Sequence, residues 1–280
     1  MPRGERGGPA LSWRCPVCRD RLTLSTDDRR WVCCSGHSFD VAREGHVNLL
    51  LARHSSQPGD SPEMVRARRR FLATGVYAPL SAAIAEAVGR EHPGVVLDVG
   101  CGDGSHTRAV SAPAVAGVDV AKTAVAAAAR AHPSGTYAVA SAADLPLADG
   151  VVDVAMAVFA PVIAAELARV IRPGGAVIIA SPGPDHLAGL RRLVYPAARP
   201  HELKSPLGHP GDRFTEITST SVRFPVVATD AQKLRDLFAM TPYRWHAPPD
   251  IDDRLAEAAA RRFETVADIR ISRYRRAPHR

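Results

Sequence analysis

Val95-Val-Leu-Asp98-Val-Gly100-Cys-Gly102-Asp-Gly104 is a short, apolar, β-branched run that ends in three alternate glycines. The run reads as a buried strand. The glycines read as a tight turn that lets the backbone approach a ligand where a Cβ would clash. The spacing is GxGxG and not GxGxxG, with Asp98 two residues before the first glycine. Working outward, short apolar runs alternate with amphipathic stretches. Val95–Val99, Val115–Val120, Tyr137–Ala140, Val151–Val158 and Ala176–Ala180 are expected strands, and Ser105–Ser111, Thr123–Ala131 and Ala164–Ile171 the crossover helices. This alternation predicts an α/β fold with a doubly wound parallel sheet. Two more strands are expected over 214–228 and 264–275, around a helix from Asp230 to Ala239, so that an antiparallel edge strand completes a seven-stranded sheet.

Upstream lies a different chemistry. Cys15-Pro-Val-Cys18 is followed after fourteen residues by Cys33-Cys34-Ser-Gly-His37. A CxxC turn and a Cys-x₃-His turn together supply four soft-to-borderline ligands, the set a structural Zn²⁺ prefers, with no coordination position left for chemistry. Cys33 and Cys34 compete for the third position, and Cys33 is chosen because it gives the Cys-x₃-His spacing; Cys15, Cys18, Cys33 and His37 are the expected ligands. Residues 1–10 read as a polar tail, 13–53 as the zinc module, and His54–Pro62 as a linker. Ser61 is an expected N-cap, with Pro62 in the first helical position. That helix sets Met64, Phe71 and Leu72 on one face and an arginine stripe (Arg66, Arg69, Arg70) on the other, either a solvated face or a phosphate contact. A second helix is expected from about Pro79 to Arg90. The organisation predicted is 1–53 zinc module, 54–92 linker and helices, 93–280 α/β domain.

The chain has 280 residues, a formal net charge of +7 and a pI near 9.5, a balance that suits a polyanionic partner. Its lysines are only Lys122, Lys204 and Lys233, so nearly all positive charge is arginine. Four of five cysteines fall in the first 34 residues, which fits a metal site in a reducing compartment better than a disulfide scaffold. No apolar run approaches the roughly 20 residues of a membrane span, and the start of the chain lacks a signal-like stretch. A cytoplasmic protein that binds no membrane is expected.

Asp119, at the end of the second strand, can accept two ribose hydroxyls. Asp144, in Ser141-Ala-Ala-Asp144-Leu-Pro146 after the third strand, can reach an adenine amino group. Together with Asp98, Gly100, Gly102 and Gly104, these residues resemble class I (Rossmann-like) S-adenosylmethionine-dependent methyltransferases. The resemblance implies S-adenosylmethionine as cofactor at those six positions, with His186 also counted among its contacts. Cys101 in the same loop reads as a small packed residue and not as a nucleophile.

A narrower resemblance covers nearly the whole chain. Gly36-His37-Ser-Phe39-Asp40 through Val47-Asn48-Leu49-Leu50, Gly59-Asp60-Ser61 through Phe71-Leu72, Phe159-Ala160-Pro161, Glu166 to Val170, Pro184-Asp185-His186-Leu187 and Met240-Thr-Pro242-Tyr-Arg-Trp245 are similar to segments of the RlmA family. His46 stands where that family usually has Tyr, and Ala157-Val158 where relatives often carry a polar residue. The resemblance implies a homodimeric 23S rRNA (guanine-N1)-methyltransferase acting on a domain II hairpin loop at the peptide exit tunnel. It also implies a zinc module that helps to hold RNA. One branch comprises macrolide-resistance enzymes of antibiotic-producing actinomycetes, which the Arg- and Ala-rich composition suits.

Guanine N1 carries a proton at neutral pH, so methylation there needs a group to receive it, and a loop guanine can be splayed out of its stack. Phe159, Asp185 and His186 are the catalytic candidates: Phe159 as a stacking surface or an apolar wall, Asp185 and His186 as the base or as caps of the helix that follows. Two other classes of function share these motifs. One is a small-molecule methyltransferase with zinc as an inert staple, and the other is a non-catalytic zinc-ribbon RNA-binding protein.

Overall fold

The computed structural model describes residues 11–52, 59–195, 200–202, 205–207 and 213–278. The expected tail over 1–10 and the linker residues 53–58 lie outside the described residues.

The run that opens the α/β domain forms β5 (Val95–Val99), buried at every position. It pairs in parallel with β6 (Ala114–Asp119) on one side and β8 (Val152–Val158) on the other; β6 pairs with β7 (Thr136–Val139), and β8 with β9 (Ile171–Pro182). Strand order therefore reverses beside β5, and a crevice opens there at the carboxyl ends of the strands, where open α/β sheets bind ligands. Two long antiparallel strands finish one edge, β11 (Phe263–Arg276) on β9 and β10 (Phe214–Ala228) outermost.

Alternation of side chains sorts the strand residues between two cores. Val96, Val154, Met156 and Ile178 face the helical layer of α2 (Ala78–Gly89), α5 (Ala188–Val194), α6 (Ala231–Ala239) and α7 (Ile251–Ala260). Leu97, Val99, Val177 and Ile179 face the other way, in one cluster with Leu167 of α4 (Ala164–Val170) and with Trp13, Leu22, Val47 and Leu49 of the N-terminal module. Trp13 is 2% exposed, and full burial of such a side chain is worth about 1.5–3 kcal/mol. The zinc module is thus packed into the sheet's own core.

It also supplies a strand. Among the described residues the sheet has eight strands, not seven, in the order β10-β11-β9-β8-β5-β6-β7-β4, because β4 (His46–Asn48) pairs in parallel with β7. Without it β7 would present an open edge of unpaired N–H and C=O groups. The module's remaining strands, β1 (Thr23–Leu24), β2 (Arg30–Val32) and β3 (Ser38–Asp40), form a separate antiparallel sheet. A second departure concerns the helix expected over Ser105–Ser111, which is only a 3-10 turn at Thr107–Ala109. The Thr107 hydroxyl donates to buried Asp98, and Val110 is already extended, so too few residues remain to propagate an α-helix.

The linker helix α1 (Pro62–Leu72) starts as expected: the Ser61 hydroxyl accepts from the Met64 N–H at 3.2 Å, with Pro62 in the first turn. Phe71 is buried, and Arg70 grips Asp236 of α6 through two hydrogen bonds of 2.9 and 2.5 Å. α3 (Lys122–Ala131) occupies the expected span, and no helix of the described residues is long and apolar enough to cross a membrane.

Candidate metal centre and ligand cleft

The two N-terminal turns converge. One ligand atom each from Cys15, Cys18, Cys33 and His37 lies within 4.8 Å of all the others. Cys18 Sγ and Cys33 Sγ are 3.6 Å apart, and Cys33 Sγ and His37 Nδ1 3.4 Å apart. A tetrahedron with Zn–S of about 2.3 Å has sulfur–sulfur edges of about 3.8 Å, so the four atoms are already spaced for one ion. Backbone bonds hold the second turn, Gly36 N–H to Cys33 O and Cys33 N–H to His37 O. Cys34 is exposed and points away, its thiol 3.2 Å from Asp20 Oδ2. The expected choice of Cys33 over Cys34 therefore agrees with the geometry.

The second site is a cleft of about 960 Å³ above the crevice beside β5. At its floor, the Gly100 and Cys101 N–H groups both donate to Val118 O, and Asp119 accepts from the Gly102 N–H at 2.9 Å and the Ala121 N–H at 2.8 Å. Burial pushes the Asp119 carboxyl upward, and the two amides oppose that shift. Gly100 has φ +73°, and a Cβ there would stand 2.3 Å from Ala160 Cβ. No side chain fits where the loop passes beneath the β8–α4 connection. Asp98 is 1% exposed; one oxygen accepts from Thr107 Oγ1 at 2.5 Å, and Oδ1 has no partner among the described residues. Burial, reinforced by Asp119 and opposed by Thr107, raises its pKa to about 7. An unpaired buried acceptor calls for a donor. The ammonium group of S-adenosylmethionine's amino-acid tail supplies one, and Asp119 and the glycine cradle suit its ribose and backbone-hugging chain. The residues present fit that cofactor. Cys101 is buried with its thiol pKa well raised, as a packed residue and not a nucleophile.

The only two aromatic side chains among the exposed large hydrophobic residues described, Phe159 (42%) and Trp245 (63%), both line the cleft. Phe159 has φ +53°, a strained conformation for a bulky residue, held by its N–H on Ala180 O. The His186 ring lies 5.3 Å from that of Phe159 and 6.5 Å from that of His201, whose Nε2 is 3.1 Å from the Tyr243 hydroxyl. His186 Nδ1 has no partner among the described residues. Burial, aided by His201 and the Arg191 charge, lowers the His186 pKa to about 4, so the ring is neutral at physiological pH.

Two expected site residues are placed elsewhere. Asp144 does not line the cleft; its carboxylate meets Arg19 of the zinc module at 2.7 Å. Asp185 is outside too, paired with Arg223 at 3.1 Å. Neither Asp185 nor His186 caps α5, whose N-cap is Leu187 with no side-chain bond. The sequence reading passed over Asp60, Arg68, His201, Tyr243 and Trp245, all of which line the cleft. All of these but His201 lie within segments it had singled out.

Comparison with known proteins agrees with this geometry. Residues 13–56 match the model of the RlmA N-terminal zinc ribbon, and residues 97–179 that of a methyltransferase domain. The 23S rRNA (guanine(748)-N(1))-methyltransferase of Streptomyces fradiae is 38% identical over 87% of this chain and 90% of its own. A Micromonospora griseorubida protein whose name carries the same 23S rRNA (guanine-N(1)-)-methyltransferase class is 37% identical over 94% of this chain and 96% of its own. Among solved structures, YcgJ of Bacillus subtilis aligns over 71% of this chain and 98% of its own, with a TM-score of 0.49 and 15% identity. Glycine cradle, orphaned Asp98, four-ligand zinc cluster and end-to-end relatives converge: the chain belongs to the RlmA-type family of S-adenosylmethionine-dependent 23S rRNA (guanine-N1)-methyltransferases.

Proposed function

We propose that this enzyme methylates N1 of a guanine in a domain II hairpin loop of 23S rRNA, near the peptide exit tunnel, and that it works as a homodimer in the cytoplasm. The observation that carries the reading is that exposed Phe159 and Trp245 line the cleft together with neutral His186, whose ring lies against that of Phe159. A splayed-out purine needs a flat apolar surface to replace its stack, and exposed aromatics supply one. When bound, S-adenosylmethionine supplies an activated methyl group. The protein's task is then to align the acceptor, exclude water and receive the N1 proton. The neutral His186 ring can accept a hydrogen bond from that N1–H and polarise it; with a pKa near 4 it does not keep the proton, which leaves to solvent water as the N1–methyl bond forms. Zinc has no catalytic part here, since four protein ligands fill its shell.

The test is methyl transfer to 23S rRNA, with small phenols as competing acceptors and primer extension to map the product, because N1 methylation blocks pairing. A polymerase stop in the domain II loop supports the proposal, and transfer to the phenols alone overturns it. His186→Ala loses turnover and Asp185→Ala retains it; the reverse pattern removes His186 from the role. Binding to S-adenosylhomocysteine by each variant separates a lost acceptor from a lost cofactor contact. We infer macrolide resistance from the relatives' branch, tested by the drug tolerance of a sensitive host that expresses the gene.

A further inference from the structure

The cleft is lined by four carboxylates, Asp60, Asp98, Asp103 and Asp119, and among its described lining residues only one Arg or Lys, Arg68. That balance is unexpected in a chain with a formal net charge of +7 whose substrate is a polyanion. It is explained if the deep cleft serves the cofactor and RNA phosphates stay outside it. S-adenosylmethionine brings two cations, the sulfonium and the ammonium, for which the carboxylates are natural partners. It also brings one anion, the carboxylate of its amino-acid tail. A half-buried carboxylate needs a cation or several N–H donors.

Arg68 is placed for it. It comes from α1, whose Met64, Arg68 and Leu72, successive at i, i+4 and i+8, form one wall of the cleft. Its Nη1 lies 3.5 Å from where a Cβ on Gly102 would stand, so the guanidinium sits over the apex of the glycine loop. One edge of the guanidinium is held by Asp60, just before the Ser61 cap. Both side chains are about three-quarters buried, with exposures of 27% and 23%. The Arg70–Asp236 fork fixes the helix that carries Arg68.

We propose that Arg68 binds the carboxylate of the cofactor's amino-acid tail and that Asp60 positions the guanidinium to do so. The linker between the zinc module and the methyltransferase domain is thereby part of the cofactor site. This inference rests on S-adenosylmethionine as cofactor and is independent of which RNA is methylated.

The experiment is calorimetric titration of the full-length protein with S-adenosylhomocysteine and with 5′-methylthioadenosine, which keeps the nucleoside but lacks the amino-acid tail. Arg68→Ala is expected to weaken S-adenosylhomocysteine binding by about 10- to 100-fold, the loss of a charge-assisted hydrogen bond, and to leave methylthioadenosine binding within about twofold. Arg68→Lys restores part of the loss. Asp60→Asn gives a smaller loss that is again confined to the ligand with a tail. Unchanged methylthioadenosine binding also proves that each variant is folded. Equal weakening of both ligands by Arg68→Ala, or unchanged S-adenosylhomocysteine affinity, overturns the proposal and leaves the cofactor assignment intact. A wild-type protein that binds neither ligand overturns both.

Discussion

The metal centre and the cofactor cleft are built on opposite plans. The zinc ligands come from two turns within 23 residues, Cys15 to His37, and each turn is closed by its own backbone hydrogen bonds. The cleft is lined from Gly59 to Trp245, by a linker helix, four strand ends and a late 3-10 turn at Pro242–His246. One site is closed, its four ligand atoms spaced for a single ion. The other is open and keeps an unpaired buried oxygen on Asp98 and an unpaired nitrogen on His186. The difference teaches that a structural site can be complete in short-range sequence, whereas a reaction site is assembled by the fold and left unsatisfied until its ligands arrive.

The comparison breaks most visibly at the metal. Cys15→Ala should reduce zinc from one equivalent to none by elemental analysis, and calorimetric melting should fall by more than about 10 °C, since structural zinc contributes folding energy and Trp13 and Leu22 lose their setting. If melting is unchanged, the module does not depend on its ion. Gly100→Ala attacks the other plan. A Cβ would overlap Ala160 at 2.3 Å in a left-handed backbone, so S-adenosylhomocysteine binding should weaken by at least about 100-fold while zinc content stays at one equivalent.

A smaller effect follows from Asp98. In the free protein its pKa is about 7, against 3.8 for an unperturbed group, so below pH 7 the empty cleft holds a proton there. A cationic ligand favours the ionised form, and binding then releases that proton. Affinity for S-adenosylmethionine should therefore rise about tenfold from pH 6 to pH 8, a slope that Asp98→Asn flattens. Calorimetry in buffers of different ionisation enthalpy reads the proton release directly. The weakest effect is expected of Cys34→Ser, which should leave zinc content unchanged and melting within about 2 °C, because that thiol lies outside the cluster against Asp20.

Much of this was legible beforehand where the physics is local. CxxC and Cys-x₃-His spacing places ligands on adjacent turns whatever the rest of the chain does, and Cys33 could be told from Cys34 on spacing alone. The glycine loop was legible because its φ values exclude side chains, and the strands because buried parallel strands are apolar throughout. Asp144 and Asp185 are placed away from the expected cleft for a common reason. Position at the end of a strand is visible in sequence, but the direction of a carboxylate is decided by its partner, and both found arginines from distant segments, Arg19 and Arg223. Arg68, outside the expected stripe of Arg66, Arg69 and Arg70, was passed over because nothing in a helical pattern tells which neighbour its face will meet.

Ligand spacing, the GxGxG turn and strand periodicity are properties of neighbours along the chain, and they suffice for the zinc centre, the cofactor class and the α/β architecture. That β4 caps the open edge of β7, that α1 lays Arg68 over the glycine loop, and that Phe159, His186 and Trp245 line one cleft depend on contacts between residues tens of positions apart. Such contacts arise only when the whole sheet has closed, since burial, register and charge pairing are settled together by packing.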